Sequence, residues 1–159
     1  MNLALREAGP RDLEAVLAMD RQHSPVFASV QRYASLHGDR GLLLVAADTD
    51  GIRGFGAWSR VLDEASLLNL ALLPAARGTG LARALLAAGC ERLAREGVQR
   101  VFLEVRESNR AARRLYTAAG FTRDGLRPAY YPGGDGGERE AAILMSQRLE
   151  VLHARTGNR

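Results

Sequence analysis

Apolar positions recur every second residue in some stretches of this chain and every third or fourth in others, and the switches between the two predict its elements. Residues 2–6 alternate enough for a first strand, which Gly9-Pro10 breaks. Pro10 suits the first turn of a helix, and Leu13, Val16, Leu17 and Asp20 follow at helical spacing, so a helix is expected over 10–20. Ser24-Pro25 marks a second helix start, with Ser24 as cap, Val26, Val30, Tyr33, Ala34 and His37 on repeating faces, and Gly38 as its end. Residues 42–47 are continuously apolar, a buried strand, and Asp48-Thr49-Asp50-Gly51 turns it into a return strand from Ile52 to Leu62. Gly54 and Gly56 leave one face of that strand bare, and Asp63-Glu64 turns into a third strand at Ala65.

The stretch from Leu67 to Arg83 organises the rest. An apolar run ends at Pro74, which has no N–H for a ladder. The small-residue loop Ala75-Ala76-Arg77-Gly78-Thr79-Gly80 follows, and then a helix over 80–96 carrying Leu81, Leu85, Leu86 and Leu93. Strand, glycine loop and helix suit an anion, because the unpaired N–H groups of a first helical turn sit at the positive end of its dipole. Gly78 and Gly80 permit a close backbone approach, and Arg77 and Arg83 add charge. A purely structural turn remains the alternative. A Walker loop is excluded, since the chain has no lysine, and G-x-G-x-x-G fails because Leu81, Ala82 and Arg83 follow Gly80.

Gly97 stops that helix, and residues 101–106 form a fifth strand. Ser108-Asn109 caps a helix through Ala118, which Gly120 ends. Phe121 to Arg127 is a further strand, Tyr130 to Gly137 a glycine-rich loop, and Ala141 to Leu149 the last strand. Three hairpin-linked strands followed by alternating helices and strands make this an α+β fold on a mixed sheet. At 159 residues one domain is expected over 1–150, with 151–159 a frayed tail.

Composition narrows the function. The single cysteine, Cys90, excludes an internal disulfide and reads as core, and His23, His37 and His153 have no metal-ligand spacing. Neither a signal peptide nor a membrane-length apolar run is present, so a cytoplasmic protein that does not bind membranes is expected. The net charge of +4 rests entirely on arginine, scattered rather than massed, which argues against direct nucleic-acid binding.

Arg77-x-x-Gly80-x-Ala82 resembles the Q/R-x-x-G-x-G/A pyrophosphate loop of the GCN5-related N-acetyltransferases. Val61-Leu62-Asp63-Glu64-Ala65, Asn69-Leu70-Ala71-Leu72, Leu103-Glu104-Val105-Arg106-x-Ser108-Asn109, Leu115-Tyr116-x-x-x-Gly120-Phe121 and Tyr130-Tyr131-Pro132 are together similar to the RimI-type branch. That branch acetylates the N-terminal alanine of small-subunit ribosomal protein eighteen. The resemblance implies a mixed, mostly antiparallel central sheet flanked by helices, acetyl-coenzyme A as co-substrate, no metal, and a protein N-terminus as acceptor. It places Arg77, Gly78, Thr79, Gly80, Leu81, Ala82 and Arg83 on the pyrophosphate, Leu70, Ala71 and Leu72 on the pantetheine arm, and Asn109 on the coenzyme. It makes Glu104 the general base and Tyr116 the general acid.

Two features depart from the branch: Gly78-Thr79 stands where a second basic residue is common, and His23-Ser24-Pro25-Val26-Phe27 where a Trp is common. The second segment borders the family's acceptor site.

The residues themselves fit this chemistry. An N-terminal amine has a pKa of roughly 7.7–8 and needs only a modest base, whereas a lysine at about 10.4 demands more. Glu104 lies between Leu103 and Val105 in a strand that reads as core, where an acid must be functional or else paired with an arginine such as Arg106 or Arg77. Tyr116 could donate a proton to a thiolate or simply close the core beside Phe121. Tyr130 and Tyr131 read as a lid or a plain hairpin, and Asp63, Glu64 and Glu140 as holders of a cationic acceptor or a solvated face. A lysine or small-amine acceptor, or a binding module without turnover, are the competing readings.

Overall fold

The computed structural model describes residues 2–23, 30–133 and 137–150. The expected helix start at Ser24-Pro25, Val26, Phe27, the loop residues 134–136, His153 and the tail from 151 lie outside them.

Among the described residues, seven strands form one sheet: β1 (Ala4–Glu7), β2 (Gly41–Asp48), β3 (Gly51–Val61), β4 (Glu64–Leu72), β5 (Arg100–Arg106), β6 (Thr122–Tyr131) and β7 (Glu140–Arg148). Their spatial order is β1-β2-β3-β4-β5-β7-β6. Every neighbouring pair is antiparallel except β4 and β5. That is the mixed, mostly antiparallel sheet the sequence led us to expect.

The continuous apolar character of β2 reflects cover on both faces. Leu42, Leu44 and Ala46 join the core beneath α3 (Leu81–Arg95), while Leu43 and Val45 join a second core with Val16, Leu17 and Met19 of α1 (Leu13–His23) and Tyr33 of α2 (Val30–Ala34). On the bare face of β3, Gly54 makes room for the Leu72 side chain and Gly56 for Trp58. The fully buried indole lies against Gly56 and against Gly89 of α3, where a Cβ at either glycine would collide with the ring. Helix α4 (Arg110–Ala118) packs Ala112, Leu115 and Tyr116 onto the first core.

The entry to α1 is tied to β1. Asp12 accepts the Gly9 N–H at 2.7 Å and pairs through both carboxylate oxygens with Arg6, at 2.7 and 2.9 Å. The Arg6 guanidinium holds the Asp12 carboxyl below the usual carboxylate range.

Three expectations shift. The first strand runs 4–7 rather than 2–6, and among the described residues the second helix ends at Ala34, three residues short of His37. Tyr130 and Tyr131 belong to β6, not to a loop, because β6 bulges after Arg127 and regains its ladder at Tyr131, opposite Glu140. Among the described residues, no helix is long and apolar enough to cross a membrane.

The feature that positions a site is the parallel pair. β4 and β5 are joined through α3, and they share a ladder only at Glu64–Arg100, Ala65–Val101 and Ser66–Phe102. Beyond Ser66 and Phe102 the ladder stops, leaving Leu67–Leu72 with no strand partner among the described residues on the side facing β5. A bulge assists: Ala57 opposes Asn69 and Trp58 opposes Leu67, so Leu68 is left over and the strand bends there.

Candidate active site

One end of the opening is built from main chain. β4 leads through the short 3-10 turn Pro74–Ala76 to Arg77, Gly78, Thr79 and Gly80, and then to the first turn of α3. Gly78 (φ 73°) and Gly80 (φ 84°) are both left-handed, a conformation that strains other residues, and a Cβ at either would meet nothing within 4 Å. The Thr79 hydroxyl donates to the Ala76 carbonyl and fixes the loop. Helix α3 has no acidic residue in its first turn, Leu81 anchors it in the core, Ala82 packs beside it, and Arg83 is exposed. Space outside the loop, free helical N–H groups and nearby arginines fit a pyrophosphate. Leu70, Ala71 and Leu72 offer main-chain groups along the unladdered side of β4, which fits an extended, amide-bearing arm.

The other end is built from side chains. A cleft of about 1140 Å³ is lined by α1, α2, β4, β5, β6 and β7 residues, Glu104 among them. The Glu104 side chain is 34% exposed and forms an ion pair with Arg127 at 3.2 Å. This corrects one point of the sequence reading, the arginine that pairs with Glu104. Glu104 faces the cleft rather than the core, because strand alternation sends Leu103 and Val105 inward. Its partner is neither Arg106 nor Arg77. Arg106 instead faces Glu140 at 3.5 Å and stacks over Tyr131 at 4.4 Å, and Glu140 also accepts the Ser108 N–H at 2.6 Å.

Tyr116 packs edge-on to Phe121, with ring centroids 5.9 Å apart, so the phenol does close the core. Burial pushes its pKa up to about 12, with Tyr131 adding to the rise. Burial and then Glu104 push Tyr131 up to about 12 as well. Asn109 caps α4, accepting the Ala112 N–H at 3.1 Å. Cys90 is packed against the core, and burial raises its thiol to about 11. Asp63 and Glu64 lie exposed at the closed end of the β4–β5 pair, away from the cleft.

Sequence reasoning missed Arg127 and the cleft residues Asp20, Tyr33 and Asn69. Arg127 gave no local signal, since its partner is far along the chain. Asp20 did give one: it is an acid at the fourth position of the apolar stripe Leu13, Val16, Leu17, and only 1% exposed.

Comparison with known proteins places this arrangement. The sequence model of the Acetyltransferase (GNAT) family matches residues 8–121. The chain is 39% identical over 135 residues to the [ribosomal protein bS18]-alanine N-acetyltransferase of Haemophilus influenzae, covering 85% of this chain and 91% of that one. It is 38% identical over 140 residues to its counterpart in Escherichia coli K12, covering 88% and 93%. The crystal structure of the Escherichia coli ribosomal-protein-S18-alanine N-acetyltransferase superposes with a TM-score of 0.83 at 34% identity, covering 97% and 98%. Ard1 from Thermoplasma volcanium shares the fold with a TM-score of 0.80 at 23% identity, covering 94% and 99%. The chain belongs to the acetyltransferase (GNAT) family and is an acetyl-coenzyme A-dependent N-acetyltransferase.

Proposed function

We propose that this enzyme acetylates the N-terminal alanine of a small-subunit ribosomal protein, as the names of its full-length relatives describe for them. The observation that carries the reading is the opening between β4 and β5, with Glu104 on the wall of its cleft, in a chain matched over most of its length by those relatives. Bound acetyl-coenzyme A supplies the thioester carbon. The Arg77–Arg83 loop and α3 hold the pyrophosphate, Asn109 touches the coenzyme, and main-chain groups of Leu70, Ala71 and Leu72 pair with the pantetheine arm. One of those N–H groups polarises the thioester carbonyl. Glu104, oriented by Arg127, takes a proton from the incoming ammonium, directly or through water. The amine nitrogen bonds to the acetyl carbon as the carbon–sulfur bond breaks, Tyr116 hands its proton to the departing thiolate, and the second proton lost by the nitrogen restores the Tyr116 phenol directly or through water. A phenol held protonated by burial suits that role.

The test is coenzyme A release with parallel acceptors: an alanine-starting peptide copied from the ribosomal protein, the same peptide with its N-terminus blocked, a lysine peptide and several polyamines. Turnover confined to the free alanine terminus is expected. Turnover with lysine or polyamines alone would replace the acceptor but keep the chemistry, and tight coenzyme binding without turnover would favour a binding module.

A further inference from the structure

The wall of the cleft opposite β5 contains a buried carboxylate that the chemistry above does not use. Asp20, on the inner face of α1, is 1% exposed yet belongs to the cleft lining. Its Oδ1 accepts from Asn69 Nδ2 at 2.7 Å, and that same amide nitrogen lies 3.4 Å from the Tyr33 hydroxyl. Among the described residues, Asp20 has no ion-pair partner, and its Oδ2 is buried without a hydrogen bond. A buried acid in that condition is costly unless a charge or donor reaches the site from outside. Arg32 lines the same wall, and its charge reaches Tyr33.

Asn69 gives this group a way to act on a guest. It sits in β4 beside the Leu68 bulge, within the unladdered stretch, and it too lines the cleft. With its Nδ2 committed to Asp20 and Tyr33, the amide can turn only its carbonyl to an incoming donor. The carbonyl has no partner among the described residues.

We propose that Asn69 and Asp20 form the receiver for the acceptor's α-amino group. The Asn69 side-chain carbonyl accepts a hydrogen bond from the ammonium. Asp20 is a positioning residue that locks the Asn69 amide and supplies a counter-charge through the low-dielectric wall. The ammonium is thereby held on the β4 side while Glu104 approaches from β5. The acceptor class this selects is a free, cationic amine at a chain terminus. The inference rests on the acceptor being such an amine, as proposed above.

A split in affinities tests it. Asp20→Asn keeps the shape and removes the charge. The KM of the alanine-starting peptide should rise about tenfold or more, as for a lost hydrogen bond to a charged group. Inhibition by the same peptide already N-acetylated, which carries no ammonium, should be unchanged, as should acetyl-coenzyme A binding by calorimetry. Asn69→Ala, which deletes the carbonyl and leaves Asp20 in place, should produce the same split and serves if Asp20→Asn does not fold. Equal weakening toward free and acetylated peptides in the variant that folds would reduce the pair to a structural role and overturn the proposal, and so would no change in either. A wild-type enzyme inert toward the peptide would instead overturn the acceptor assignment, a result read before any variant is made.

Discussion

The two ends of the β4–β5 opening are made of different materials. The end at α3 presents main-chain N–H groups, two left-handed glycines and an unladdered strand, all contributed by residues 70–83 in one continuous run. The opposite end presents Asp20, Tyr33, Asn69, Glu104, Arg127 and Tyr131, drawn from five separate elements. Main-chain groups survive most substitutions, whereas a side chain is lost with a single codon. The α3 end should therefore tolerate changes that the cleft end does not.

The sharpest trial of that contrast is Glu104→Gln. Its kcat should fall by about 10²- to 10⁴-fold with coenzyme affinity unaltered in calorimetry, and an unaltered kcat would remove Glu104 from the chemistry. Tyr116→Phe comes next, with an expected loss of about a hundredfold in kcat. The ring still meets Phe121 edge-on, so the melting temperature should stay near that of the wild type.

At the α3 end, Gly80→Ala forces an alanine to φ 84°, which costs about 1–2 kcal/mol. Denaturant midpoints should show that loss, and calorimetry a weaker grip on the coenzyme, while the peptide KM stays put. Arg83→Gln should raise the coenzyme Kd only about threefold, with the gap narrowing as salt is added. A larger effect of Arg83 than of Gly80 would break the contrast, since it would mean that side-chain charge and not backbone does the holding.

The mildest trial concerns the seating of α1, which carries Asp20. Arg6 lowers the pKa of Asp12, so the ion pair contributes stability above the ordinary carboxylate range and loses it as pH falls through the lowered folded value. Asp12→Asn should be less stable than wild type in urea at neutral pH, and the two curves should converge in acid.

The same contrast explains what could be read in the sequence. The glycine loop, the helix cap at Asn109 and the hairpin at Asp48–Gly51 are local events, and each left a local signature that the structure repeats. Glu104 stood out because its flanking residues, Leu103 and Val105, are apolar. Strand alternation by itself implied that the residue between them points the other way. Its partner Arg127 could not be read at all, since only the packing of β6 on β7 and β7 on β5 brings them together. Asp20 was legible as an oddity within an apolar stripe but not as a member of the cleft, because Asn69 is 49 residues away.

An unpaired strand edge ordinarily invites another protein molecule to add itself, which is how soluble sheets turn into fibres. The bare side of β4 escapes this by lying in the interior of a sheet, flanked by β5 and pinned shut at Ser66–Phe102. A foreign strand would need about 4.8 Å of clearance on each side together with room for its side chains. Only a slender molecule carrying its own amide groups can slide in, so the chain keeps an edge that is open to a small guest and closed to polymerisation.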